Sequence, residues 1–366
     1  MLHNKTVAVV IPAFNEERQI RMVLESIPDF IDRIIIVNDG STDKTSEIVM
    51  SIINADKKDY SNSDIAEAIP GTTIYDAPEQ ALHRFHKEED ERLTESVIAN
   101  KNPEKDRIIL IEHIQNSGVG AAVSTGYSWC RQNNIFCTAK VDGDGQMDPR
   151  ELERICEPVI TNNIDYVKGN RLLHRSSKLI IPNHRFWGNS VLSILTKIAS
   201  GYWKVSDTQT AFTAISLRAL KILQLDKIYK KYGYPNDILV RLNIASCTLT
   251  EVEIKPIYNI GEQSKMKIFK LVPRILKLLT VSFFRRLWLK YFIRDFHPLF
   301  LFYFLSFFLF IIDIPFFIEL IRNFLVRGNL TPDSWLIIYI FLTISSFQAF
   351  LFAMWMDIQD NERLYK

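Results

Sequence analysis

IFCTAKV (135–141) runs directly into DGDGQ (142–146), and that junction decides how the chain is read. Seven residues dominated by apolar and β-branched side chains predict a buried strand. At its end come two carboxylates on alternate residues, separated by glycine. Asp142 and Asp144 can share one hard divalent cation, which takes oxygen ligands and leaves the remaining positions to a substrate's phosphates. Gln146 can add a neutral oxygen, and the glycines let backbone approach a ligand closely. A calcium-binding EF-hand loop opens the same way. Its ninth and twelfth positions are acidic; here Glu153 fits the twelfth but Arg150 stands at the ninth, which makes calcium the weaker reading.

Outward from this junction the same grammar repeats. TVAVVIP (6–12), RIIIV (33–37) and RIILIEH (107–113) read as strands. Helical patterns cover Asn15–Ile27, about Asp43–Ile53, and the residues after NSGVG (116–120) as far as Asn134. Strands alternating with helices predict a mostly parallel sheet with helices on both faces. Ligands of such sheets bind beyond the carboxyl ends of the strands. The polar and glycine-rich residues fall there: Pro12–Glu16, Asn38–Asp43, Asn116–Gly120 and Asp142–Gln146. Residues 54–106 interrupt the pattern with a charged insertion, in which a helix is expected around Glu79–Ile98 and the rest reads as a surface excursion. His83 and His86 stand three apart there, without a third metal ligand.

Composition narrows the function. The 366 residues carry 44 Lys plus Arg against 42 Asp plus Glu, a net charge of +2, which argues against a polybasic nucleic-acid binder. Four cysteines without a C-x-x-C pair give neither a disulfide framework nor a zinc ribbon. A strand beginning at Thr6 leaves no room for a cleavable signal peptide.

The chain is also split in hydropathy. Residues 298–318 hold one charge, Asp313, and residues 334–356 hold none, with Trp335 and Trp355 at the ends. Both are long enough to span a bilayer, and tryptophan at the interfaces fits. Asp313 is expected to face the other helix or a partner subunit, which leaves room for a homo-oligomer. Nine cations and no acid lie between Gln263 and Arg294. Lys270, Arg274 and Lys277 share one helical face, with Ile268, Leu271, Ile275, Leu278 and Leu279 mostly opposite. This predicts basic helices lying on an anionic membrane surface over 262–295. By the positive-inside rule the soluble domain (1–261) and the tail (359–366) then lie in the cytosol, at the cytoplasmic membrane.

PAFNE (12–16), VNDGSTD (37–43), NSGVGAA (116–122), DGDGQMDP (142–149) and KGNR (168–171) occur in the order and spacing of inverting family 2 glycosyltransferases of the GT-A fold. With the basic segment and apolar hairpin, the chain resembles the polyprenyl-phosphate glycosyltransferases of that family, over residues 5–261 apart from the insertion. The resemblance implies that Pro12, Phe14, Glu16, Asp39 and Gly118 hold the nucleoside, Asp39 at the ribose or base edge. It places Asp142, Asp144 and Gln146 at a Mg2+ or Mn2+ ion and the donor's diphosphate. It sets Arg171 near the phosphates. In IPNHRFWGN (181–189), Arg185 becomes the clamp on a lipid phosphate, with Asn189 as a second donor. Lys265, in GEQSK, matches a basic residue that closes over the site. The sequence departs from the pattern at Asn38, at Asp207–Phe212 (DTQTAF, lacking the usual proline and glycine) and at Asn259, where an arginine is often found nearby.

The reaction expected is transfer of a hexose or N-acetylhexosamine from a nucleotide-diphosphate sugar to a polyprenyl (undecaprenyl or dolichyl) phosphate. That nucleophile is ionised at neutral pH and needs positioning more than a base. A sugar hydroxyl would need a carboxylate to take its proton. Asp237, in YPND (234–237), lies where saccharide-accepting relatives carry one, so a chain-extending transferase is the alternative. A catalytically idle membrane subunit that only binds nucleotide or partners is a third.

Overall fold

The computed structural model describes residues 1–56, 60, 77–181, 183–257, 268–327 and 332–366. Its centre is an eight-stranded mixed sheet. The strands are β1 (Val7–Ala13), β2 (Arg33–Asn38), β3 (Ser96–Ile98), β4 (Ile108–His113), β5 (Cys137–Lys140), β6 (Tyr166–Asn170), β7 (Thr213–Ser216) and β8 (Leu249–Glu253). Their order is β3-β4-β2-β1-β5-β7-β6-β8. β4, β2, β1 and β5 are parallel, β7 runs antiparallel to both its neighbours, and β6 and β8 are parallel. β1 and β2 are buried along their whole length, because helices cover both faces of the sheet and leave no polar side. This is the mostly parallel sheet expected of the sequence.

The helices are α1 (Ile20–Glu25), α2 (Thr45–Ala55), α3 (Ala77–Glu91), α4 (Val119–Gln132), α5 (Leu152–Thr161), α6 (Ser177–Ile180), α7 (Asn183–Ser200), α8 (Leu217–Ile222), α9 (Tyr234–Ile244), α10 (Ile268–Trp288), α11 (Pro298–Arg322) and α12 (Asp333–Glu362). One core packs α1, α2 and α5 on one face of the sheet, around Val9, Ile36, Val49, Ile155 and Ala139. The other packs α4, α8 and α9 around Val10, Ile35, Ile109, Tyr127 and Leu239.

The insertion differs from expectation. The helix stops at Glu91, and Ser96–Ile98 pairs antiparallel with β4 as an edge strand. The β-branched Val97 and Ile98 favour a strand. α3 is more than a surface excursion. Glu89 is fully buried, accepts from Arg131 of α4 at 2.7 Å, and also takes the Leu225 amide. Asp90 accepts from Arg131, Ser128 and Gln132. These charges are sequence-distant partners, not a solvated face.

Two helices, Pro298–Leu325 and Asp333–Glu362, are long and apolar enough to cross a membrane. They pack through small and polar side chains: Ser346 donates to the Ser306 carbonyl at 3.0 Å, and Thr343 donates to Asp313 at 2.7 Å. Asp313 therefore faces the other helix of its own hairpin. α12 runs on past Met356, and its last turns return to the catalytic sheet. Lys366 and Leu364 exchange backbone hydrogen bonds with Leu249 of β8 at 3.0 and 2.7 Å. The C-terminus and the sheet thus lie at the same end of the hairpin.

That return changes the reading of the basic segment. Arg286 is fully buried and forms a two-bond fork with Asp357, 2.7 Å in each arm. Lys290 donates to Asn361 at 2.5 Å and to Asn243 at 3.1 Å. Arg285 reaches Asp237, and Arg294 reaches the Ile244 carbonyl and Ser246. Arg286 and Lys290 are thus spent inside the protein, Arg285 is half-buried, and Arg294 stays exposed while bonded to the end of α9. Arg274 and Lys277 remain exposed on α10. So do Val272, Leu276, Phe284, Trp288 and Phe292, while Ile275, Leu279 and Phe283 pack inward. Lys265 and Lys267 lie outside the described residues.

Candidate active site

The four strand ends meet. Asn15, in the left-handed region at φ 57°, turns the chain out of β1. Its amide donates to Ser41 at 2.9 Å and its side-chain oxygen accepts from Thr42 at 2.8 Å, knitting PAFNE to NDGSTD. Asp39 links the latter to NSGVG. Its Oδ1 accepts from the Ser117 amide (2.8 Å) and His113 Nδ1 (2.7 Å), and its Oδ2 from the Gly118 amide (2.7 Å). Gly118, at φ 102°, packs against the Lys230 carbonyl where a β-carbon would collide, so only glycine fits. Gly143 lies over the Pro12 carbonyl and Glu16, which brings DGDGQ against PAFNE.

Pro12 is buried in β1, Phe14 is exposed, and Glu16 is half-buried at the mouth. Asp39 is only 3% exposed. Burial by itself would raise its pKa, but the bonds from His113, Ser117 and Gly118 hold it below the ordinary aspartate value. The primary work visible for Asp39 is thus to pin the NSG turn. A depressed folded pKa contributes stability above the ordinary aspartate range, and that contribution is lost as pH falls through it. Asp39→Asn should cost about 2–3 kcal/mol at neutral pH. The gap in melting temperature between wild type and variant should narrow as pH drops toward about 3. A gap that stays constant with pH would contradict this.

Asp142 and Asp144 follow β5. Lys140, two residues before Asp142 and on the same face of the chain, makes an ion pair with Asp142 Oδ1. The Gln146 amide donates to Asp144 Oδ1 at 3.0 Å. Tyr232, half-exposed on the loop before α9, is held above the ordinary tyrosine pKa by burial and by the charges of Asp142, Glu16 and Asp144. Three carboxylates therefore converge on one patch. The donor set is all oxygen and fits a hard divalent cation. Among the described residues no three acidic, His or Cys side chains form a complete metal cage.

Arg171 is committed to Asp207. Its Nε donates to Oδ2 at 2.8 Å and its terminal nitrogen to Oδ1 at 3.0 Å. Burial opposes ionisation of Asp207, but the Arg171 fork holds its pKa down. The departing DTQTAF segment thus keeps an aspartate that orients an arginine. Beneath it, fully buried Lys168 donates to the Thr210 carbonyl at 2.6 Å, and burial pushes its pKa down to about 8. Arg185 and Asn189 belong to α7, but the contacts expected of them, like Lys265, fall outside the described residues.

Asp237 is placed differently from a base. It is 1% exposed. Its Oδ2 accepts from the Tyr229 amide (3.0 Å) and Arg241 (2.7 Å), and its Oδ1 from Arg285 of α10 (2.7 Å). The carboxylate ties α9 to α10 and to the 229–234 loop. Both oxygens are engaged by the protein itself, so the reading as a proton acceptor finds no support in this geometry.

Lys140, His113 and Tyr232 had not been singled out from sequence. A lysine inside a strand that leads into a carboxylate pair is a visible anomaly. The other two have no local signature.

The strand ends gather carboxylates beside closely packed glycine turns, and comparison with known proteins gives the family. The glycosyl transferase family 2 model matches residues 8–62 and 89–223, leaving out 63–88 within the insertion. The chain belongs to this family and is a glycosyltransferase. It is 28% identical over 280 residues to the UDP-N-acetylglucosamine–dolichyl-phosphate N-acetylglucosaminyltransferase of Methanococcus voltae, covering 75% of this chain and 96% of that protein. It is 23% identical to a dolichyl-phosphate beta-glucosyltransferase of Trichomonas vaginalis (77% and 74% covered) and 23% identical to the undecaprenyl-phosphate mannosyltransferase of Micrococcus luteus (71% and 87%). Among solved structures, glucosyl-3-phosphoglycerate synthase of Mycobacterium tuberculosis, in complex with Mn2+, UDP and product, aligns with TM-score 0.46 at 16% identity, covering 77% of this chain and 80% of that one.

Proposed function

We propose that this enzyme transfers a sugar from a nucleotide-diphosphate sugar to the phosphate of a polyprenyl phosphate at the cytosolic membrane surface, inverting the anomeric centre. The observation that carries the reading is the seating of the hairpin. The chain after α12 returns to the sheet at Leu249 and α12 is locked to α10 through Asp357, so a site built for a soluble donor is held at the end of two apolar helices. A lipid-borne acceptor requires that arrangement and a soluble one does not. The similarity to transferases named for dolichyl and undecaprenyl phosphates supports the same acceptor class.

In this reading Asp142, Asp144 and Gln146 hold Mg2+ or Mn2+ together with the donor's diphosphate. When bound, the cation offsets the negative charge that develops on the leaving diphosphate. The NSGVG turn, pinned by Asp39, lies beside the nucleotide, and Phe14 and Glu16 line the nucleoside's side. Arg185, Asn189, Arg171 and Lys265 gather the acceptor phosphate, a group that arginine binds with two parallel bonds. The phosphate oxygen attacks C1 from the face opposite the leaving group. It carries its charge already, so no side chain takes a proton.

Asp237→Asn tests the last point. Loss of a general base lowers a rate by about 10²–10⁴-fold. Here the variant is expected to melt earlier, with transfer at permissive temperature falling less than about tenfold. A collapse of transfer in a folded Asp237→Asn protein would favour a hydroxyl acceptor. Label from the donor entering an organic-soluble product only when a polyprenyl phosphate is added tests the acceptor itself.

A further inference from the structure

Lys140 has no part in the account above, and its position is costly. It sits on β5 between β1 and β7, and it is 1% exposed. Its ammonium makes an ion pair with Asp142 Oδ1, and Tyr234's ring lies 5.8 Å from it. A buried cation is poorly compensated by one carboxylate and an aromatic face, and an apolar residue on this strand would stabilise the fold at least as well. The charge therefore needs a reason outside stability.

We infer that Lys140 is a built-in counterweight that keeps the Asp142–Asp144 pair from loading a free divalent cation, so that the cation enters together with the nucleotide diphosphate. The inference rests on the reading of these aspartates as the cation's ligands. Lys140 closes β5 and is 1% exposed, and its ammonium is held against Asp142 Oδ1, two residues past the strand end. A cation approaching Asp142 meets a carboxylate oxygen already held by an ammonium. It also meets a fixed positive charge a few ångströms off in a partly buried site, where like charges repel more than in bulk water. A diphosphate reverses the balance, because the same charge attracts it. Lys140 is thus a positioning residue that acts through Asp142 and sets the order of assembly.

The test is Mn2+ binding to the detergent-purified full-length enzyme, read from the free-ion electron paramagnetic resonance signal without any turnover. Lys140→Met and Lys140→Gln should each tighten Mn2+ binding in the absence of nucleotide by at least about tenfold. Lys140→Arg, which retains the charge, should leave it near the wild-type value. Binding of UDP or GDP without metal should weaken several-fold in the neutral variants. If Lys140→Met fails to fold, Lys140→Gln carries the comparison, since it keeps a hydrogen-bond donor toward Asp142. If neither neutral variant folds, Lys140 is structural and the inference falls. Mn2+ affinity that is the same, or weaker, in a folded neutral variant would overturn the counterweight while leaving the metal site standing. No Mn2+ uptake by the wild type, even with UDP or GDP present, would refute the metal reading beneath it.

Discussion

Asp144→Ala is expected to abolish sugar transfer, by at least about 10³-fold, while the protein keeps its fold and its melting temperature. Removing a group that fixes charge at the leaving diphosphate takes away stabilisation that exists mainly in the transition state. Asp144 is half-buried in the loop after β5, outside both hydrophobic cores, and accepts from the Gln146 amide at 3.0 Å. Asp142 is the poorer choice. Its removal strands Lys140 as a buried unpaired ammonium, and an uncompensated buried charge costs several kcal/mol. The two variants should therefore separate: both inactive, but only Asp142→Ala destabilised. Circular dichroism melts beside a transfer assay would show it. Residual transfer above a few per cent in Asp144→Ala would remove this aspartate from the chemistry.

Asp357→Ala is expected to have the largest effect on stability, about 3–5 kcal/mol. Arg286 and Asp357 are both fully buried. Arg286 also donates to the Ala199 and Ile198 carbonyls, at 3.0 Å each, and Tyr291 donates to Asp357 at 3.0 Å. Burial pushes the neighbouring Lys290 pKa down to about 8, and this lysine shares the Asn361 oxygen with the Asn243 amide. One truncation thus leaves a guanidinium without its carboxylate in the joint between α7, α10 and α12. The expected signs are a melting temperature several degrees lower in detergent and new protease cleavage near the joint. The double replacement Arg286→Met with Asp357→Leu should recover most of the loss, because two apolar groups leave nothing unpaired. A double variant no better than Asp357→Ala would show that the network, not the pair, carries the joint.

The parallel strands were legible because burial on both faces gives β1, β2 and β4 apolar runs of four or more residues, and β5 lies inside IFCTAKV (135–141), mostly apolar or β-branched. β3 and β6–β8 were not. They are short, three to five residues each, and KGN at the end of β6 has no alternation to read. The strand-end loops of the site were legible by their residue types and their place after a strand. Their internal bonding was not: nothing local says that Asp39 spends both oxygens on His113 and the NSG turn. The basic segment misled for a related reason. A cation on an amphipathic helix has the same spacing whether it faces lipid or a carboxylate 71 positions later, as Arg286 does. Asp237 was found at the right helix end, yet its partners Arg241 and Arg285 make it a tie.

The central claim is the acceptor. Detergent-purified enzyme would be incubated with Mn2+ and radiolabelled nucleotide sugars, with and without a polyprenyl phosphate, and then extracted into organic solvent. The account predicts label in a lipid that mild acid releases as free sugar, only when the polyprenyl phosphate is present, and absent with Asp144→Ala. Label that appears only when a glycan-bearing lipid is supplied, and that disappears with Asp237→Asn, would contradict it and make the enzyme a chain-extending transferase.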